Sequence, residues 1–224
     1  MAEILSREVP VEPARTALLF VDVQNFCALR EGGEFKHLSP AEFEQKLGTY
    51  FERLEQLAVP NMRRLQAGCR KAGVEVIYTV IESLTLDGRD RGFDYKITGF
   101  NVPKGSWDAK VIDAIAPVGD EIVIPKTASG VFNATNIDYV LRNLEVRYLI
   151  VAGVVTDQCV ESTVRDACDR GFLVTLVPDA CATYSQERHD NSLRAIAGYC
   201  RMRSTDELLR ELDQATASRA ALAG

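Results

Sequence analysis

Tyr148-Leu-Ile-Val-Ala-Gly-Val-Val-Thr-Asp-Gln-Cys159 is the stretch that decides the fold. Its first six residues are apolar without alternation and end at Gly153. Such a run fits a strand buried on both faces, as in a parallel sheet. A tight turn follows, and a helix is expected from about Gln158 to Arg170. Strand, turn and helix in succession form the repeating unit of an α/β sheet.

The same grammar extends in both directions. Thr16-Ala-Leu-Leu-Phe-Val-Asp22 is a short apolar run closed by an acid. Val74 to Val80, Glu121 to Ile124 and Phe172 to Val177 read as further strands. Between them lie helical stretches. Ser39 is a candidate N-cap, Pro40 fits the first turn and Glu42 completes a capping box. Phe43, Leu47, Tyr50, Phe51, Leu54 and Leu57 keep the helical spacing until Pro60 breaks or restarts it, with a second piece running to about Lys71. Asp108–Ala116, Asn136–Leu144, Gln186–Ala197 and Thr205–Leu212 also read as helices. Glu82 to Gly105 has no clear period and is expected to be a long connection near the mouth of a site. The Ala-rich end from Ala215 has no apolar face and is expected to fray. Strands alternating with helices predict a doubly wound, mostly parallel sheet with helices on both faces. One domain over residues 1–224 is expected, with an arm at 1–15 and a tail at 214–224.

Composition narrows the function. The chain has 224 residues, 46% of them hydrophobic and 26% charged, enough to bury a full core. A net charge of −6 leaves no basic field for a phosphate backbone, so no nucleic-acid partner is expected. Met1 to Thr16 lacks the apolar core of a secretory signal, and no apolar run is long enough to span a bilayer. The six cysteines form no C-x-x-C pair. That pattern predicts reduced thiols in a cytoplasmic protein. With only His37 and His189 present, a histidine-rich metal site is not expected, and both histidines read as surface residues.

In open parallel sheets, sites form beyond the carboxyl ends of the strands. Those ends are marked by Asp22, Glu82, Lys126 and the Gly153–Cys159 turn. Cys159 would sit where a helix begins. There the helix dipole favours thiolate and free N–H groups can hold an oxyanion. The plain alternative is a small buried hydrophobe. Asp22 is either a general base or a cap. Lys126 either sits inside the site, lowering the thiol pKa and holding Asp22 ionised, or is solvated.

Three separated motifs then coincide. They are Leu19-Phe-Val-Asp-Val-Gln-Asn25, Pro125-Lys-Thr-Ala-Ser-Gly-Val-Phe132 and Ala152-Gly-Val-Val-Thr-Asp-Gln-Cys159 with Val160-Glu-Ser-Thr-Val-Arg-Asp166. In this order they resemble the isochorismatase-like cysteine hydrolase superfamily. The resemblance implies a six-stranded Rossmann-like sheet and a catalytic triad of Asp22, Lys126 and Cys159. It also implies a cis Val154–Val155 bond, with an oxyanion hole made by the N–H groups of Val155 and Cys159. Cys159 places the chain in the amidohydrolase branch, because isochorismatases proper lack that cysteine. Nicotinamidases of that branch bind a metal through histidines after the second strand. Glu82 to Phe100 contains no histidine, so neither metal nor other cofactor is expected. Lys104-Gly-Ser-Trp-Asp108 and Ser129-Gly-Val-Phe-Asn133 are closer to ureidoacrylate and biuret amidohydrolases.

The resemblance thus implies a hydrolase cutting a C–N bond of a small ureido, carbamoyl or carboxamide compound. A nicotinamidase-type amidase and a non-catalytic binding module on the same fold are the alternatives. Asn25 and Gln24 are candidates to hydrogen-bond the substrate, and Phe132 to wall its pocket. Their plain alternatives are a turn residue, a support for Asp22 and a core residue. The resemblance further implies a homo-oligomer, dimer or tetramer.

Overall fold

A computed structural model describes residues 5–223 of the chain. Its six strands are β1 (Thr16–Val21), β2 (Glu75–Ile81), β3 (Ile122–Lys126), β4 (Tyr148–Val154), β5 (Leu173–Ala182) and β6 (Arg201–Met202). They form one sheet in the order β3-β2-β1-β4-β5-β6, and every pairing is parallel. The chain builds outward from β1 through β2 to β3, then returns to place β4 on the other flank of β1. The strand order therefore reverses between β1 and β4, and a crevice opens there at the carboxyl edge.

Both faces of the sheet are covered. Leu18 and Phe20 of β1 enter one core with Tyr50, Phe51, Met62, Leu65 and Leu208. Ala17, Leu19 and Val21 enter the other with Ile137, Leu141, Val160, Val164 and Ile196. This period of two on doubly buried strands is why β1 reads as a continuous apolar run. Pro125 cannot donate to a ladder, and it is tolerated because β3 is an edge strand.

Several boundaries differ from expectation. The Ser39 capping box is present, but Pro60 does not break its helix. Pro40–Arg53 continues through a π-type turn at Leu54–Ala58 into Val59–Ala72. The wider turn absorbs the missing proline N–H. The expected helix at Asp108–Ala116 is two short 3-10 turns, Trp107–Ala109 and Asp113–Ile115. Between them Val111 forms an antiparallel bridge with Gln24. The connection after β2 contains a short helix, Phe93–Thr98. β5 runs five residues beyond its expected end at Val177, to Ala182. The Ala-rich end expected to fray continues the last helix, Thr205–Ala223, while Gly224 lies outside the described residues. Among the described residues no helix is long and apolar enough to cross a membrane.

Gly153 is required where it stands. Its φ is +133°, and a Cβ there would lie 2.2 Å from the Val21 carbonyl oxygen and 2.7 Å from the Val21 nitrogen. β4 thus approaches the backbone of β1 more closely than any side chain allows. The next peptide bond, Val154–Val155, is cis.

His189 corrects its surface reading, whereas His37 is exposed as expected. His189 is 2% exposed, because the helix Gln186–Ile196 turns it inward beside the Thr156–Val160 turn. Arg53 Nη2 lies 3.0 Å from its Nε2 and can only donate, so Nε2 accepts. Nδ1–H then donates to Thr156 Oγ1 at 2.9 Å. Burial, reinforced by the Arg53 charge, lowers the His189 pKa to about 4. The unfolded chain protonates this residue near its ordinary pKa of ~6.5. Its contribution to stability is therefore full above ~pH 6.5 and drains away as pH falls toward 4. The lowered pKa corresponds to about 3 kcal/mol at the acid end. Urea unfolding at pH 7.5 and 4.5 is expected to show a markedly smaller acid loss in His189→Gln than in the parent. Equal losses would show that the ring does not carry this dependence.

Candidate active site

Each of three strand ends delivers one reactive side chain. Asp22 follows β1 with φ +56°, a left-handed conformation that carries its backbone N–H to the Thr79 carbonyl at 3.0 Å. Its carboxyl is 1% exposed. Thr79 Oγ1 donates to Oδ1 at 3.1 Å, which fixes the rotamer. The other oxygen, Oδ2, meets the Lys126 ammonium at 2.8 Å. Lys126 closes β3, which is separated from β1 by β2. Neighbouring strands lie ~4.8 Å apart, so a long stem is needed to cross that gap. That reach explains why a lysine stands at this strand end.

Lys126 is fully buried. Besides Asp22 it donates to the Ala128 carbonyl at 2.8 Å and to the Tyr95 hydroxyl at 3.4 Å, and it lies 3.5 Å from Cys159 Sγ. Burial works against its charge, but the negative charge of Asp22 outweighs it and raises the Lys126 pKa. The ammonium is thus held protonated.

Cys159 lies in the π-type turn Thr156–Val160, just ahead of the helix Glu161–Asp169. π-type turns recur at functional sites. Burial pushes its thiol up to about 11, opposed by Lys126 and reinforced by Asp22. Ser129 Oγ is 3.4 Å from the sulfur. At neutral pH the sulfur therefore rests as a thiol and needs a base to become nucleophilic. Asp22 Oδ2 has no hydrogen-bond partner among the described residues apart from the lysine ion pair.

Cys159 opens onto a cavity of about 490 Å³. Asp22, Val154, Val155 and Cys159 lie along its floor, and Tyr95, Phe100 and Tyr184 give it aromatic walls. Tyr95 and Phe100 come from the aperiodic connection after β2, which does reach the mouth of the site.

The three residues expected to touch substrate do not line this cavity. Gln24 is completely buried and its amide donates to the Ile81 and Asp108 carbonyls, at 2.9 and 3.0 Å. It braces the turn after β1 and has no amide atom left for a ligand. Asn25 donates to the Trp107 carbonyl at 2.9 Å and faces a different cavity. Phe132 packs in the core, its ring centroid 6.0 Å from that of Phe172. In their place the structure brings up Ser129, Tyr95, Glu34 and Tyr184. Ser129 follows Lys126 by three residues and could have been read from that motif. Tyr184 follows β5 closely and would have been found had that strand's end been placed at Ala182. Glu34, in the turn Gly33–Phe35, carries no sequence signal.

Comparison with known proteins agrees with this architecture. The isochorismatase domain model matches residues 16–207. The chain belongs to the isochorismatase family and is a hydrolase of that family. It is 30% identical over 197 residues to ureidoacrylate amidohydrolase RutB of Agrobacterium fabrum, covering 77% of this chain and 78% of that protein. It is 35% identical over 119 residues to N-carbamoylsarcosine amidase of an Arthrobacter species, covering 51% and 45%. Among solved structures, a cysteine hydrolase from Pseudomonas syringae superposes with a TM-score of 0.77 at 28% identity, covering 96% of this chain and 100% of that one.

Proposed function

We propose that this protein is a cysteine-dependent amidohydrolase that cleaves a C–N bond of a small ureido, carbamoyl or carboxamide compound. The observation that carries this reading is the position of Lys126 Nζ, 2.8 Å from Asp22 and 3.5 Å from the Cys159 sulfur, buried behind a cavity that Asp22 and Cys159 line. A carboxylate ion-paired to a lysine that also reaches the thiol is placed to serve as general base. The names of the amidohydrolase relatives support the same bond type.

Asp22 takes the Cys159 proton as the sulfur attacks the carbonyl carbon. The tetrahedral oxyanion is stabilised by the backbone N–H groups of Val155 and Cys159, with the fixed positive charge of Lys126 close by. Asp22 returns the proton to the departing nitrogen, and ammonia or an amine leaves. Water, deprotonated by Asp22, then attacks the thioester carbonyl carbon; the carbon–sulfur bond breaks, the carboxylic or carbamic acid leaves, and Asp22 returns the proton to the Cys159 sulfur. Removal of one oxyanion donor in such a site costs ~10²–10³ in rate.

Ammonia release is the test, over a panel of ureidoacrylate, biuret, N-carbamoyl amino acids, simple carboxamides and nicotinamide. Turnover of at least one ureide or carboxamide, with an acyl adduct on Cys159 seen by intact mass, is the expected result. No turnover across the panel, or turnover with no dependence on Cys159, refutes the reading.

A further inference from the structure

The cavity in front of Cys159 is unbalanced in charge. Its lining includes the carboxylates of Asp22, Glu34 and Asp94, and no lysine, arginine or histidine. Asp22 is neutralised by Lys126 beneath it. Among the described residues Glu34 has no such partner. Its Oε1 accepts from the Tyr184 hydroxyl at 2.8 Å, and the nearest charge acting on it is the like charge of Asp22. Asp94 stands exposed on the short helix Phe93–Thr98.

A half-buried carboxyl without a cation is unfavourable, and perturbed titratable groups cluster at functional sites. Burial, opposed by the Tyr184 hydrogen bond and helped by Asp22, raises the Glu34 pKa to about 7. The rest of the lining fits the same ligand. Tyr95, Phe100 and Tyr184 turn aromatic surface into the cavity. The faces of such rings attract cations; Lys126 already lies over Tyr95 at 5.9 Å from the ring centroid and Arg188 over Tyr184 at 5.0 Å, which leaves Phe100 for a ligand.

We propose that Glu34 is a specificity-determining residue that binds a positively charged nitrogen at the far end of the substrate, so that the enzyme prefers cationic amides or ureides and discriminates against carboxylates. The assignment rests on the reading of Cys159 as the nucleophile of amide hydrolysis. It narrows that reading, because ureidoacrylate and N-carbamoyl amino acids are carboxylates and would face Glu34 with like charge.

Two arms test it. The first needs no turnover. Cys159 is treated with the cationic reagent 2-(trimethylammonium)ethyl methanethiosulfonate or the anionic 2-sulfonatoethyl methanethiosulfonate. In each case the thiolate attacks the sulfenyl sulfur, methanesulfinate leaves and a mixed disulfide forms. Peptide mapping separates Cys159 from Cys27, which also borders the cavity. Rates are divided by those for 2-mercaptoethanol. The cationic reagent is expected to win by about tenfold, as one uncompensated charge at such range allows. Glu34→Gln is expected to erase most of that ratio. An equal or inverted ratio in the parent protein overturns the proposal by itself, even if the variant does not fold. So does a ratio that Glu34→Gln leaves unchanged.

The second arm compares β-alaninamide, butyramide and succinamate, which present a cation, no charge and an anion on similar carboxamides. The expected order of kcat/KM is cation, neutral, anion, with the difference carried by KM and lost in Glu34→Gln. Equal or reversed order overturns the proposal. If none of the three is hydrolysed, the amidohydrolase reading is in question, while the thiol-labelling ratio still decides the charge preference.

Discussion

Cys159→Ala is expected to lower kcat/KM for ammonia release by on the order of 10⁴-fold or more, the scale on which hydrolases lose activity without their nucleophile. The cavity keeps its aromatic walls and its three carboxylates in this variant, so substrate binding should change little and the loss should fall on kcat. The fold should hold as well, since Cys159 is buried as a small side chain and alanine leaves only a slight void. Cys159→Ser is expected to be nearly as slow. Burial already pushes the thiol up to about 11, and a hydroxyl in the same place is far harder to ionise with a carboxylate base. The assay is steady-state ammonia release at fixed pH. Near-parental turnover by Cys159→Ala would exclude a covalent route through this residue.

Lys126→Met is expected to damage both activity and stability. Asp22 and Lys126 are almost wholly buried, and removing the ammonium leaves a carboxylate with no counter-charge. Breaking a buried pair from one side costs about 3–5 kcal/mol. The alternative open to the protein is to protonate Asp22, which removes the base. Either way ammonia release should collapse. Urea unfolding should show the destabilisation, and the double variant Asp22→Asn with Lys126→Met should recover most of it, because no charge is then stranded. Activity should stay absent in the double variant. A Lys126→Met protein that unfolds at the parental urea concentration would show that the pair contributes nothing net.

The parts of this site that were legible in the sequence are those that depend on strand order. Asp22, Lys126 and Cys159 each follow a buried apolar run, and parallel strands bring such ends to one edge. The substrate-facing residues were not legible, because they depend on the path of the chain after the strand. Asp22 adopts a left-handed φ, and Gln24 then pairs with Val111, far along the chain. No local pattern reports that pairing, and it is what turns Gln24 and Asn25 away from the cavity. His189 is a different case. It shares a helical face with Ser192 and Ile196, both buried. The spacing was present, but a run of polar neighbours masked it. Glu34 sits in a turn among glycines, where neither period nor composition marks a residue facing a ligand.

The close approach of Gly153 to Val21 has a consequence for how such a protein can diverge. Asp22 and Cys159, the acid and nucleophile of the proposed reaction, follow strands that touch main chain to main chain at this point. Their separation is therefore set by backbone contact at that position and not by the size of any side chain wedged between the strands. The surrounding core can exchange one apolar residue for another over many generations while the spacing of the reacting groups stays constant. Inheritance of the chemistry is in this way decoupled from inheritance of the packing, at the cost of one glycine that must not change.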